Sequence, residues 1–379
     1  MSGAGGSING CAGKVYVAKQ APAALLVLLD RSSSMFGGKW SAASDAINAA
    51  LDQTLFDSMS VGLLAAPGPG NVSGPECLFG LPVPCVVPSS PQVALQEVGA
   101  AKATEPGLRG QIKQWLQGNG PTGGGPFDAD ASPLYDATVQ SLAALKAWPV
   151  DGKRLLLIVS DGSLSCTSLS GRQSFQDANG CPDWEHPQNF ISLLQGAHDD
   201  TAKPVLSFVV GVPGADTYDP SGATYPPYHM RAALSAIAYA GAPEFVDPAC
   251  TGKTFAQGDP DPAVPCHFDM TKSALDSQNL ASVIAQVRGK ALGCVFEVPE
   301  PDGGGQVDPD QVNVEYNVGA GPTEILRRKD ATDPCENDLC WDYNGEGKIE
   351  LIGKACDDLT SAPKAAVSVV AGCKTNFKP

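Results

Sequence analysis

Strongly apolar runs recur along the chain as far as Val212. They are Ala23 to Leu29 (AALLVLL), the run after Arg154 that ends at Ser160 (RLLLIVS), and Val205 to Val212, with a shorter one at Val61 to Ala65. Runs of this kind read as strands buried on both faces, as in a parallel sheet. Between them the apolar positions fall at helical spacing. Trp40, Ala43, Ile47, Leu51 and Leu55 share one face of a helix predicted over 40–55, and Leu108, Ile112 and Trp115/Leu116 mark a second. Further helices are predicted over 133–148, with Pro133 at the first position, and over 189–198, 231–240 and 272–291. The Pro- and Gly-rich segment 67–91 predicts a short edge strand, and Cys294 to Val298 a closing one. Strands alternating with helices predict an α/β domain over 15–300, doubly wound around a mainly parallel sheet with helices on its flanks. Residues 1–14 read as a Gly/Ser-rich linker.

The pattern changes after residue 300. Val312, Val314 and Tyr316 alternate with polar positions, as do Ile349 and Leu351 and later Val367 and Val369. Turn-rich stretches, Asp302 to Gly305 and Asn344 to Gly347, separate them. No helical period is evident, so 301–379 is expected to be a small β-rich unit stapled by cysteines.

Composition narrows the class. Hydrophobic residues make up 43% of the 379, enough for a core, which excludes wholesale disorder. The net charge of −16 argues against a nucleic-acid partner and against docking on anionic lipid. No apolar run reaches the ~20 residues of a membrane span. There are 12 cysteines: Cys11, Cys77, Cys85, Cys166, Cys181, Cys250, Cys266, Cys294, Cys335, Cys340, Cys356 and Cys373. No C-x-x-C occurs among them, which disfavours a zinc ribbon or a thioredoxin-like centre. Near pairs bracket loops: Cys77 with Cys85, Cys166 with Cys181, Cys250 with Cys266. Cys11 with Cys294 is a candidate tie between the ends of the domain, though connectivity is not fixed by sequence. An even number of loop cysteines points to an oxidising, extracellular or cell-surface location. Met1 to Gly10 has no apolar segment of the signal-peptide kind.

Chemistry concentrates at Asp30-Arg31-Ser32-Ser33-Ser34. In an open α/β sheet, ligands bind beyond the carboxyl ends of the strands. Asp30 ends one buried run, and Asp161-Gly162 follows another. A carboxylate with hydroxyls two and four residues on presents oxygens to one point, a donor set suited to a hard cation such as Mg²⁺. If the two strands are neighbours, Asp30 and Asp161 meet at one rim.

These residues resemble the metal-ion-dependent adhesion site of the von Willebrand factor type A (VWA) family. Asp30, Ser32 and Ser34 match its D-x-S-x-S, and Asp161-Gly162 its later strand-Asp-Gly. Ala131-Ser132-Pro133-Leu134-Tyr135-Asp136-Ala137 is similar to its T-P-L-x-x-A, with Ser132 in place of Thr; Thr122 is the alternative third element. Leu234 to Gly241 is similar to its late helix. The likeness covers roughly 280 residues, and with its Cys-rich tail the chain resembles extracellular bacterial members. It implies a six-stranded sheet, Mg²⁺ or Mn²⁺ as cofactor, the metal ligands Asp30, Ser32, Ser34, Ser132 and Asp161, and binding of a protein or other acidic ligand. The long loops 31–39, 118–133, 162–187 and 213–228 would surround the ion. Trp184, Tyr218, Tyr225 and Tyr228 in them suit contact hot spots, with packing inside the loops the favoured account.

Enzymatic signals are lacking. There is no G-x-S-x-G elbow and no H-E-x-x-H around His186, His198, His229 or His267. A phosphatase-like D-x-D is spoiled by Ser32. Asp183, Glu185 and His186 read as a solvated loop, and Asp302, Asp308 and Asp310 as turn residues without EF-hand spacing. The expected function is therefore a non-enzymatic adhesion module. A surface scaffold with an incidental metal site is the alternative, and a metal-dependent hydrolase is a more distant one.

Overall fold

The computed structural model of the chain describes residues 7–8, 11–17, 22–52, 56–57, 59–68, 73–76, 82–100, 102, 104–121, 131–150, 152–162, 164–165, 173–175, 184–218, 228–271, 277–292, 294–299, 307–317, 321–335, 338–361 and 366–378. It separates into two compact units. One comprises 22–52 and 59–284; the other joins 1–21, 53–58 and 285–379.

In chain order the principal strands are β1 (Lys14–Val17), β2 (Ala23–Asp30), β3 (Met59–Ala66), β4 (Val93–Glu97), β5 (Lys153–Ser160), β6 (Val205–Gly211), β7 (Phe268–Asp269), β8 (Val295–Phe296), β9 (Val312–Asn317), β10 (Thr323–Arg327), β11 (Cys340–Tyr343), β12 (Ile349–Ile352) and β13 (Ala366–Ala371). The helices are α1 (Gly38–Leu51), α2 (Leu108–Gly118), α3 (Leu134–Ala147), α4 (Pro187–His198), α5 (Met230–Gly241), α6 (Ser277–Leu292) and α7 (Lys354–Ser361).

The larger unit is built on a six-stranded sheet in the order β7-β6-β5-β2-β3-β4. Every pairing is parallel except β3 with the edge strand β4. All eight residues of β2 are buried, because helices cover both faces and leave no solvated side on which a polar residue could alternate. The chain starts at β2, steps outward to β3, then returns to the other side of β2 with β5. The strand order therefore reverses between β2 and β5, and a doubly wound sheet opens its crevice at such a place. The α/β class, the parallel sheet and its six strands are as expected. Helix ends shift by a few residues: Pro133 caps α3 from outside, and α1 stops at Leu51. The edge strand lies at 93–97, beyond the segment 67–91 in which it was expected; 73–76 and 82–84 pair with each other instead.

The smaller unit carries a seven-stranded sheet, β8-β12-β11-β10-β9-β13-β1. All pairings are antiparallel apart from β10 with β11. Its core includes Val312, Val314, Trp341, Ile349, Leu351 and Val369. Three expectations need correction here. Lys14–Val17 pairs with β13, and Val295–Phe296 with β12, so both belong to this sheet and the boundaries at 15 and 300 do not hold. Four alternating residues specify a strand but not its partner, and pairing is decided by tertiary packing. The tail also holds a helix, α7, too short for its period to stand out. Finally, Cys294 bonds to Cys356, not to Cys11.

Cys250–Cys266 is bonded as expected, and Cys335 bonds to Cys340. Cys85 and Cys373 are disulfide-bonded too; Cys77, Cys166 and Cys181 lie outside the described residues, as does the Cys11 side chain. A cross-link removes more freedom from the unfolded chain the longer the loop it closes. The 62-residue separation of Cys294–Cys356 should then be worth roughly 4 kcal/mol, and the 5-residue separation of Cys335–Cys340 roughly 2 kcal/mol. Denaturant unfolding of Cys294→Ser/Cys356→Ser should show the larger loss and Cys335→Ser/Cys340→Ser the smaller; the reverse order would contradict this.

Candidate metal centre

Asp30 is the last residue of β2 and is fully buried. β2 and β5 pair in parallel from Ala23↔Lys153 to Leu29↔Val159, so Asp161, just past the end of β5, lies at the same rim. Asp161 is 3% exposed. Hydrophobic β-strands thus carry two carboxylates out of water at the switch point of the sheet.

Asp30 is held by donors from three segments. Its Oδ1 accepts from the Ser32 amide at 2.9 Å and its Oδ2 from Ser160 Oγ at 2.7 Å. Ser132 Oγ donates at 3.4 Å to both oxygens. Ser32 and Ser34 hydroxyls are hydrogen-bonded to each other at 2.9 Å. The Asp30-to-Ser34 loop is itself anchored by Arg31, whose guanidinium donates to the carbonyls of Asn119, Pro67 and Gly120. Ser132 sits just before α3, and its amide donates to Ser165 Oγ at 3.0 Å. Ser32 and Ser132 are buried, and Ser34 is exposed at the rim. Asp30, Ser32, Ser34, Ser132 and Asp161 therefore converge; Thr122 lies outside the described residues.

The electrostatics are those of a centre short of positive charge. Burial first, and the Asp161 carboxylate second, push the Asp30 carboxyl up to about 7, against the hydrogen bonds from Ser160 and Ser32. Asp161 Oδ2 accepts from Lys39 Nζ at 2.9 Å, but its Oδ1 is buried with no hydrogen-bond partner. An orphaned buried carboxylate oxygen costs free energy until something meets it. The donor set consists of oxygens, which fits a hard divalent cation. Among the described residues, no group of three or more His, Cys, Asp or Glu side chains is placed to hold a metal ion. Hydroxyls would have to complete any coordination here, as D-x-S-x-S provides.

Three residues at this rim were not singled out by the sequence. Ser160 is a strand residue whose hydroxyl also accepts from the Gly162 amide at 2.9 Å. Lys39 lies in the first turn of α1. Gly214, after β6, approaches Asp161 closely in the left-handed region at φ 111°. Only the Ser-Asp-Gly ending of β5 offered a signal for the first; the other two meet the site through tertiary folding.

The remaining candidates disperse. His186 caps α4, accepting from the Gln188 amide, and stacks on Phe175 at 4.6 Å. His198 lies between Asp199 and Glu244, and His229 stacks on Tyr218 at 3.8 Å. His267 is buried, and burial takes its imidazole down to about 4. Trp184 and Tyr228 are buried, so they pack within the fold; Tyr218 is exposed, and Tyr225 lies outside the described residues. Asp308 bonds the Asp310 amide and Gln311, which is turn chemistry; Asp302 and Asp183 lie outside the described residues.

The sequence matches no family model and no curated protein. Solved structures are similar only at a distance. The pilus adhesin SpaC from Lactobacillus rhamnosus GG is 13% identical with a TM-score of 0.43, over 94% of this chain and 39% of that one. The vWF domain of the type V pili tip protein Mfa5 from Porphyromonas gingivalis is 12% identical, with a TM-score of 0.28 over 55% of this chain and 57% of that one. The pilus adhesin RrgA from Streptococcus pneumoniae is 10% identical, with a TM-score of 0.36 over 96% of this chain and 58% of that one. The chain spans 39% of the length of SpaC. Such distant likenesses do not bear on what this chain binds. The larger unit has the six-stranded sheet that the resemblance to VWA domains implies, and Asp30 and Asp161 stand at the carboxyl ends of two of its neighbouring strands.

Asp30 gives a pH test. Its folded pKa, about 7, lies well above the ordinary carboxylate range, so the ionised form is penalised in the fold. The metal-free protein should gain stability as pH falls from above 7 toward 4, and lose it again as pH rises through 7. Asp30→Asn, which keeps the shape and removes the charge, should melt several degrees above wild type in chelator at pH 8. That advantage should shrink by pH 5, as the wild-type carboxyl takes up its proton. An equal difference at both pH values would contradict the assignment of the strain to Asp30.

Proposed function

We propose that the chain is an extracytoplasmic adhesion module that binds a protein, or another acidic ligand, through a divalent cation at the β2–β5 rim. The observation that carries this reading is the pair of buried carboxylates, Asp30 held by serine hydroxyls and Asp161 with its Oδ1 atom unpartnered. Asp30, Ser32, Ser34, Ser132 and Asp161 would hold Mg²⁺ or Mn²⁺. A bound divalent cation supplies a Lewis-acid position that a ligand carboxylate can occupy.

The chain's own residues prepare that position. Neutral hydroxyls at Ser32, Ser34 and Ser132 contribute oxygens without adding negative charge. Ser160 and the Ser32 amide fix Asp30 so that it need not reorganise on binding. Ser34, exposed at the rim, opens the centre toward solvent and hence toward a partner. Phe36, 57% exposed in the same loop, offers apolar contact next to it.

Disulfides support the location. Cys250–Cys266, Cys294–Cys356 and Cys335–Cys340 belong in an oxidising compartment. No helix among the described residues is long and apolar enough to cross a membrane.

Melting curves of chelator-stripped protein, recorded with and without millimolar Mg²⁺ or Mn²⁺, test the proposal. A ligand at about 100 times its dissociation constant stabilises by about 2.7 kcal/mol, so the wild-type melting point should rise by several degrees. Asp30→Ala should fold and show no rise. A wild-type curve indifferent to both ions would leave the scaffold reading in place of this one.

A further inference from the structure

The first turn of α1 carries a charge at the unfavourable end of a helix. Lys39 is the second residue of α1, where the free amides form the positive end of the helix dipole. Helix chemistry therefore opposes a lysine there. Its side chain turns back into the rim instead of running into solvent, and Nζ donates to Asp161 Oδ2 at 2.9 Å. The two side chains are 28% and 4% exposed.

A third element encloses this pair. Gly214 comes so near that a Cβ on it would stand 2.9 Å from Lys39 Nζ and 3.4 Å from Asp161 Oδ2. Its backbone is in the left-handed region as well, so the loop after β6 can close over the ammonium only with glycine at this place. The second oxygen of the same carboxylate, Asp161 Oδ1, is buried without a partner. One carboxylate thus has one oxygen satisfied by an ammonium of this chain and the other left for a further cation.

We propose that Lys39 is a tethered cation that competes with the divalent ion for Asp161 and thereby sets the affinity of the metal centre. The inference rests on reading this rim as a metal centre. With no divalent ion bound, the ammonium offsets part of the repulsion between Asp30 and Asp161. With one bound, the same ammonium is a like charge a few ångströms away in a poorly solvated site. Its flexible four-carbon stem allows it to leave toward solvent. Each uptake of metal therefore works against Lys39, and the centre fills only when the ion is abundant or when a partner's carboxylate adds to its hold.

The test uses the full chain, stripped with chelator, as wild type, Lys39→Met and Lys39→Arg. Calorimetric titration with Mn²⁺ alone should show Lys39→Met binding at least roughly tenfold more tightly, the repulsion of a unit charge at this range in a low-dielectric rim. Lys39→Arg, which keeps the charge, should bind within a few-fold of wild type. Melting curves supply a second readout. In chelator, Lys39→Met should melt below wild type; in Mg²⁺ the gap should close or reverse. A purely structural ion pair would lower both curves alike and leave the affinity unchanged, and that result would overturn the inference. Lys39→Gln, which keeps a donor to Asp161, replaces the Met variant if the latter does not fold. Uptake of Mn²⁺ by wild type, with no gain in the variant, sinks the lysine role alone. No uptake by either protein sinks the metal centre, and this inference with it.

Discussion

Two negative charges are held out of water at the ends of adjacent strands, and the larger unit is arranged around that constraint. Ionised carboxylates in so buried a place repel each other and lack hydration. Burial and Asp161 together raise the Asp30 carboxyl to about 7, a measure of how poorly the chain alone balances the pair. Hydrogen bonds from Ser160, the Ser32 amide and Ser132 offset part of the cost. Lys39 offsets another part on Asp161. What remains unmet is one oxygen, Asp161 Oδ1.

The sheet makes this possible without distortion. Asp30 and Asp161 reach the same rim because β2 and β5 are parallel, adjacent and in register. Their apolar stems are locked between helices, so the carboxylates are placed by a rigid scaffold instead of by mobile loops. The loop residues Ser32, Ser34 and Ser132 then need only short reaches. Arg31, stapling its loop to three carbonyls, takes no part in the oxygen set but fixes the segment that bears two of its hydroxyls. Gly214 completes the enclosure from the side of β6.

The parts of this arrangement that were legible in sequence are those carried by local pattern. AALLVLL followed by Asp, and RLLLIVS followed by Asp-Gly, announce buried strands that end in acids, and D-x-S-x-S names its own chemistry. The late helix and the Cys250–Cys266 staple were legible for the same reason. Residues whose role is set by distant folding were not. Lys39 reads as an ordinary surface lysine until Asp161, far along the chain, is brought to it. Lys14–Val17 reads as the start of the first domain until β13, near the other end of the chain, pairs with it. Cys294 found Cys356 rather than Cys11 because β8 docks on β12, which the spacing of cysteines does not encode. Helix α7 was hidden by its brevity within a stretch of alternating strands.

Diffraction from crystals grown with Mn²⁺, collected where manganese scatters anomalously, tests the central claim most directly. A single strong anomalous peak within coordination distance of Ser32, Ser34 and Ser132, between Asp30 and Asp161, is the expected result. A peak elsewhere on the chain, or none at saturating Mn²⁺, would show that the buried carboxylate pair is balanced by the protein itself and is not a metal centre.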